Sequence, residues 1–412
     1  MSVFSFQFVI GALLLATVFF YLPGLFIRRL VLATCNVGFI WLCLPNYQSW
    51  IVLGAFVVSG YLVGVVLRRL PSSGILATYL LLLVAAFLVC KKYVVVQSLL
   101  PARVWDYPIV AIGLSYLLFR QIHFLVDMMQ GQIDDVSFAS YANYQLNLFG
   151  FLSGPIQRYQ EFHQTWANWT PLLNSRHEIL IAFVRLYAGL LKIAFSSVIL
   201  WMFSHERDFF LSDPGLEARS VFAVLLKFSI MFYCYPIYLY FNFSGYCDVV
   251  IAAAALVGIQ MPENFDRPYL SRNMIDFWTR WHRTLGLWIR DYVFMPMYKA
   301  VAERWSRQTA VLVFPCYFLA FFLAGVWHGS TLNFAVFGVL HGGGVAAAKL
   351  WEVQVVRRVG RKGLKHYLAS SPIRAAAIFL TLNYFAFTLL FFPHDLSTTR
   401  IVLGHLFHRI GA

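Results

Sequence analysis

Apolar residues fill the chain in long blocks, separated by short polar or basic breaks rather than by strict alternation. A helix that crosses a bilayer needs roughly 20 such residues. The pattern predicts spans over 3–27, 30–44, 50–67, 74–90, 107–127, 179–202, 219–241, 245–260, 309–327, 332–350 and 374–392, about eleven in all. Several are short, which implies tilt or partial spanning. No repeat and no Gly/Ser/Pro linker divides the 412 residues. The expected architecture is all-α: one polytopic membrane domain over 1–412, with re-entrant and interfacial helices between the spans.

Three segments break this pattern. Residues 143–162 end an apolar stretch on Ser153-Gly154-Pro155-Ile156-Gln157-Arg158-Tyr159, where Gly-Pro predicts a sharp turn or re-entrant loop. Residues 261–306 are the most charged part of the chain. Within 325–343, GVWHGS and VLHGG interrupt apolar sequence. Non-helical backbone persists at membrane depth only where protein buries it or where it lines a cavity. The breaks therefore predict an internal, partly wet cavity.

Composition narrows the reading. The chain is 60% hydrophobic and 12% charged, about half the usual charged share of a soluble domain. Soluble multidomain enzymes, disordered chains and coiled coils are excluded. The net charge of +14 reads as cationic loops facing anionic headgroups rather than nucleic acid. No acidic residue precedes Asp106, while Arg28, Arg29, Arg68 and Arg69 do. Their placement predicts a retained first helix with an external N-terminus and a cytoplasmic first loop. Residues 352–373, rich in Arg and Lys, are expected to form a cytoplasmic loop that docks an acidic partner or marks orientation. The six cysteines form no CxxC pair, and neither a disulfide framework nor a metal site is expected.

Candidate chemistry sits in the breaks. His328 follows a long apolar run, and an ionisable side chain at that depth is a functional candidate. A neutral imidazole there accepts a proton without starting as a buried ion. The alternative is a histidine that only bridges two helices. Trp327 adjoins it, and Asn333 can orient its ring if the turn bends back. His341, in LHGGG, either packs or caps, and its glycines permit close helix packing or a helix break. Residues 262–294 are expected to form an amphipathic interfacial helix. It would pair Asp276 with Arg280, set Trp278 beside His282, and continue its polar side through Arg283, Arg290 and Asp291. Trp281 lies on its apolar side. Arg158 is a candidate for pairing an anionic group, or a topology marker. Asp248 is expected near a helix start. No Walker loop, GxSxG or HExxH is present.

Taken together, LSGPIQRY, FSGYCDVVI, NF-x-x-PYLSRN-x-x-DFW, RWHRTLGLWIRDY and GVWHG resemble the membrane-bound O-acyltransferase family over about residues 107–345. The resemblance is greatest to bacterial members that acylate cell-envelope polymers. These include alginate and other polysaccharide O-acetyltransferases and the D-alanyl transferases of teichoic acids. It implies a ring of helices around a central funnel, with His328 catalytic and His282 an important second histidine. It also implies residence in the bacterial cytoplasmic membrane and no bound cofactor. The donor would be a thioester, acetyl-CoA or an acyl-carrier protein, and the acceptor a polysaccharide hydroxyl. A periplasmic or extracellular acyl-transfer partner would fit the same scheme. Acetyl is the first expectation for the acyl group. D-alanyl is the alternative, because the RDYVF segment lacks the Gly-Gly-Asn turn that often follows it in the acetylases. A transporter using His328, His341 and Asp248 as proton-relay residues is the remaining alternative.

Overall fold

The computed structural model describes residues 6–22, 24–44, 46–99, 101, 113–169, 176–212, 220–305, 309–393 and 395–411. Helices dominate, and no strand occurs among the described residues. They assort into two compact units. The first holds Met1–Leu190 with Tyr246–Glu263, the second Leu191–Gly245 with Asn264–Ala412.

The first unit begins with α1 (Phe6–Tyr21), α2 (Leu25–Cys43), α3 (Tyr47–Arg69), α4 (Ser73–Cys90) and the short α5 (Val94–Gln97). The expected span 3–27 is thus two helices. Gly24, at φ 78, separates them in a conformation that only glycine adopts without strain. Asn46 and Ser72 cap α3 and α4 by accepting from the backbone of Ser49 and Ile75. Large apolar residues such as Leu42, Leu62 and Leu81 point outward from α2–α4. In water that would be a liability, and a bilayer accounts for it. By contrast α6 (Leu114–Met129) is buried along most of its length, including Arg120, Gln121, His123 and Asp127. Residues 102–112, which include the start of the expected span 107–127, lie outside the described residues. After α7 (Phe138–Gln145), residues 146–158 run without regular helix and largely buried until α8 (Tyr159–Ala167). This bears out the first break.

α9 (Arg176–Ser212) and α10 (Val221–Val257) each run through 37 residues and contribute to both units. The two spans expected over 219–241 and 245–260 are therefore one helix. Asp248 lies deep within it and not at a start, because FSGYC keeps helical geometry despite its glycine. Arg185 satisfies this carboxylate at 3.0 Å and also pairs with Glu263 at 2.5 Å.

The second unit continues with α11 (Met274–Arg280), α12 (Arg283–Ile289), a π-helical turn over Arg290–Phe294 and α13 (Met295–Arg304). The single interfacial helix expected over 262–294 is thus several short pieces. It fails at Trp281–His282, where the backbone turns left-handed. α14 (Thr309–His328), α15 (Leu332–Ala369), α16 (Ser371–Thr388) and α17 (Leu396–Gly411) complete the unit. α14 and α15 pack closely because Gly325 lies against the backbone of Gly338, and a Cβ on Gly342 would come within 2.9 Å of the Phe318 carbonyl oxygen. Two glycines of LHGGG, Gly342 and Gly344, therefore serve packing; the helix runs on through all three. Residues 352–369 are helical as well, with a kink at Gly360, where a loop was expected.

Seven helices among the described residues are long and apolar enough to cross a membrane: Leu25–Cys43, Tyr47–Arg69, Ser73–Cys90, Arg176–Ser212, Val221–Val257, Leu332–Ala369 and Ser371–Phe391. Ile10–Phe19 and Leu312–His328 are shorter apolar helices. The chain is a multi-pass, all-α membrane protein; the expected count of eleven spans is not reproduced.

Candidate active site

The second unit gathers three histidines. His328 is the last residue of α14, directly before the Gly329–Thr331 turn. A Cβ at Gly329 would overlap the Phe334 ring, so this tight turn suits glycine. Aromatic rings surround the imidazole: Trp327 at 4.7 Å between centroids, Phe392 at 5.2 Å and Phe337 at 5.9 Å. His282 sits at the break between α11 and α12 with φ 45 and ψ 51. A non-glycine residue in that region costs on the order of 1–3 kcal/mol unless its surroundings hold it there. His341 lies on α15, its ring 4.1 Å from that of Phe337. His328 is within electrostatic reach of both other histidines.

The strained backbone of His282 is held from both sides. The Asp266 N–H donates to the Arg280 carbonyl at 2.9 Å, and the Arg283 N–H donates to the Asn264 carbonyl at 2.9 Å. The Asn264 side-chain oxygen also accepts from the Thr284 hydroxyl at 2.6 Å and from its backbone N–H at 3.3 Å. Below the break, Asn273 caps α11 through the Asp276 N–H at 2.8 Å, and Asp276 takes the Arg280 guanidinium at 2.7 Å. Gly286 lets α12 lie against the Trp278 carbonyl, which a Cβ would approach to 2.7 Å.

Polar capacity at this site is left unspent. The His282 Nδ1 is buried with no hydrogen-bond partner, as is the Trp278 indole N–H. Burial, reinforced by any charge on His328, favours the neutral form of His282, which lies outside the candidate spans. The Thr388 hydroxyl donates to the Phe385 carbonyl at 2.7 Å and lies 2.9 Å from the His341 Nε2. A hydroxyl that has already donated accepts, which places the His341 proton on Nε2 and leaves Nδ1 as an unpartnered buried acceptor. Among the described residues, no group of three or more His, Cys, Asp or Glu side chains is arranged to hold a metal ion.

The family match covers most of the chain. The sequence profile of the membrane-bound O-acyltransferase family fits residues 75–391. The chain belongs to that family. It is a membrane O-acyltransferase, an enzyme that moves acyl groups onto hydroxyl oxygens, and the transporter alternative is set aside. A teichoic acid D-alanyltransferase of Streptococcus thermophilus is 30% identical over 299 residues, 69% of each chain. The corresponding protein of Bacillus subtilis is 29% identical over 375 residues, 82% of this chain and 85% of its own. A probable alginate O-acetylase of Pseudomonas fluorescens is 28% identical over 242 residues, 58% of this chain and 44% of its own.

The remaining candidates of this acyltransferase divide. Trp281 is buried against Phe277, Phe265 and Phe385 and walls the histidine segment. Asn333 does not turn back to His328; its side-chain N–H donates to the Phe391 carbonyl at 3.2 Å and ties the start of α15 to the end of the α16 region. Arg290 is largely exposed and pairs with the neighbouring Asp291 at 2.7 Å. Arg158 belongs to the first unit, where it caps α8 with its N–H on Glu161 at 3.2 Å. Sequence reasoning did not single out Asn264, Thr284, Phe337, Phe392 or Thr388. Asn264 lay inside a quoted motif. Thr388 carried no signal, because nothing in an apolar helix marks which hydroxyl meets a histidine.

Proposed function

We propose that this enzyme moves a small acyl group from a thioester donor to a hydroxyl of a cell-envelope polysaccharide or of its carrier intermediate, in the bacterial cytoplasmic membrane. The observation that carries the reading is the set of imidazoles in one aromatic shell with polar atoms unspent. His328 acts as the general base. It takes the proton of the acceptor hydroxyl as that oxygen attacks the thioester carbonyl carbon, and the C–S bond then breaks. The same proton passes to the departing thiolate, so the imidazole ends neutral. Such a base contributes about 10²–10⁴-fold. His282, fixed at its left-handed position, orients the donor or stabilises charge developing on the carbonyl oxygen. Acetyl-CoA and an acyl-carrier protein both present the required thioester on the cytoplasmic side, and neither needs a resident cofactor.

Acetyl transfer was the first expectation from sequence. The extent of the match to the two D-alanyltransferases, against under half the length of the acetylase, favours D-alanyl transfer from a carrier protein as the second reading. Purified enzyme in vesicles, given labelled acetyl-CoA in one arm and labelled D-alanyl carrier protein in the other, separates the two. Label entering polymer in one arm alone identifies the donor. Label entering polymer in neither arm, with folded enzyme, contradicts both readings.

A further inference from the structure

α15 continues beyond the length a membrane requires and breaks at Gly360, at φ 70 and ψ 174. The Trp351 indole N–H donates to the Tyr367 hydroxyl at 3.1 Å. Sixteen residues of straight helix would part those positions by about 24 Å, so the chain doubles back at Gly360. α16 begins at Ser371, and the helices on both sides of this hairpin are candidate spans. Chain connectivity therefore holds the hairpin at the membrane surface.

Its surface is of two kinds. Arg357, Arg358, Arg361, Lys362, Lys365 and His366 are exposed. The one acid of the segment, Glu352, pairs with Lys349 at 3.0 Å. Interleaved with these cations, Trp351 is 59% exposed, Val359 54% and Leu368 41%. An acidic protein would satisfy the cations alone. A headgroup layer takes both, cations on phosphate and apolar side chains at the acyl boundary.

The second limb is also joined to the site. The Arg272 guanidinium donates to the Leu368 carbonyl at 3.3 Å, and the Arg272 N–H donates to Asp276 at 3.0 Å in α11, which leads directly to His282.

We propose that the hairpin over residues 351–370 binds anionic phospholipid headgroups, and that this binding steadies the His282 segment through Arg272. The second half rests on the role given to His282 above; the first does not. The test reconstitutes the full chain in phosphatidylcholine vesicles with and without phosphatidylglycerol and follows amide hydrogen exchange over 352–370. Phosphatidylglycerol slows exchange by about fivefold per engaged cation. High salt reverses the protection, and a variant with Arg357→Gln, Arg358→Gln, Arg361→Gln and Lys362→Gln lacks it. Equal exchange in the two vesicles overturns the lipid surface. So does protection by an acidic carrier protein in phosphatidylcholine alone where phosphatidylglycerol gives none, because that assigns the hairpin to a protein. For the coupling, phosphatidylglycerol raises the transfer rate of the wild type and not of Arg272→Gln, whose hairpin protection persists. An equal rate response in both overturns the coupling.

Discussion

His123 in the first unit and His282 in the second are both shielded from solvent, at 0% and 4% exposure, yet their ring nitrogens are used differently. The Tyr159 N–H donates to the His123 Nε2 at 3.1 Å, and the Tyr144 hydroxyl lies 3.0 Å from the same atom. That ring holds α6 to the buried segment that leads into α8. His282 has a buried Nδ1 with no partner and a left-handed backbone held by Asn264. An unmet buried polar atom costs about 1–3 kcal/mol. Unpartnered buried polar atoms also occur in the first unit, at Arg120, Gln145 and Asn147, but among these three histidines they fall on His282 and His341 and not on His123. Depth of burial therefore does not separate a structural histidine from a reactive one. What differs between these two rings is whether their nitrogens have partners.

Among changes outside the histidines, the largest effect that would sharpen this contrast comes from Asn264→Ala. It removes the side-chain acceptor for Thr284 and loosens the segment that fixes His282, leaving only the backbone bonds. A misplacement of about 1 Å can cost about 10²-fold in rate. The transfer rate per folded molecule falls by about that factor, with KM little changed if His282 acts in the transition state. A variant that keeps its rate while losing stability would make the bracket purely structural. His123→Ala works the other way: it strands the Tyr159 N–H and lowers unfolding stability by about 1–3 kcal/mol. The rate per folded molecule stays within about twofold, measured by denaturation and transfer assay on one sample. Thr388→Val is the smallest, costing about 1 kcal/mol for one lost hydrogen bond. A rate loss well beyond that would move His341 from a wall of the site to a participant.

Much of this was legible in the chain. Long apolar blocks announced α3, α4, α14 and α16 because a bilayer demands length and apolarity from each span independently of its neighbours. The breaks at 146–158 and 329–331 were legible because Gly and Pro mark them. The boundary inside 221–257 was misjudged: FSGYCD reads as punctuation, but Arg185, distant in sequence, satisfies Asp248 and the helix continues. The interfacial helix over 262–294 was misread for a similar reason. Its apolar and polar spacing is helical, whereas the left-handed turn at His282 is held by a hydrogen bond from the Asp266 N–H to Arg280 and one from the Arg283 N–H to Asn264, which no local pattern reveals. His328 and His282 were singled out from their setting and motif. The approach of α14, which ends at His328, to α15, which carries His341, depends on glycine contacts that are tertiary.

The central claim is that acyl transfer depends on the second unit's unspent imidazoles and not on burial of histidine as such. The most direct measurement is single-turnover transfer of a labelled acyl group by purified His328→Gln and His123→Gln in vesicles, each scaled to its folded fraction. The account predicts a loss of about 10²–10⁴-fold for His328→Gln and a near wild-type rate for His123→Gln. Wild-type transfer by folded His328→Gln, or an equal loss in both variants, would contradict it.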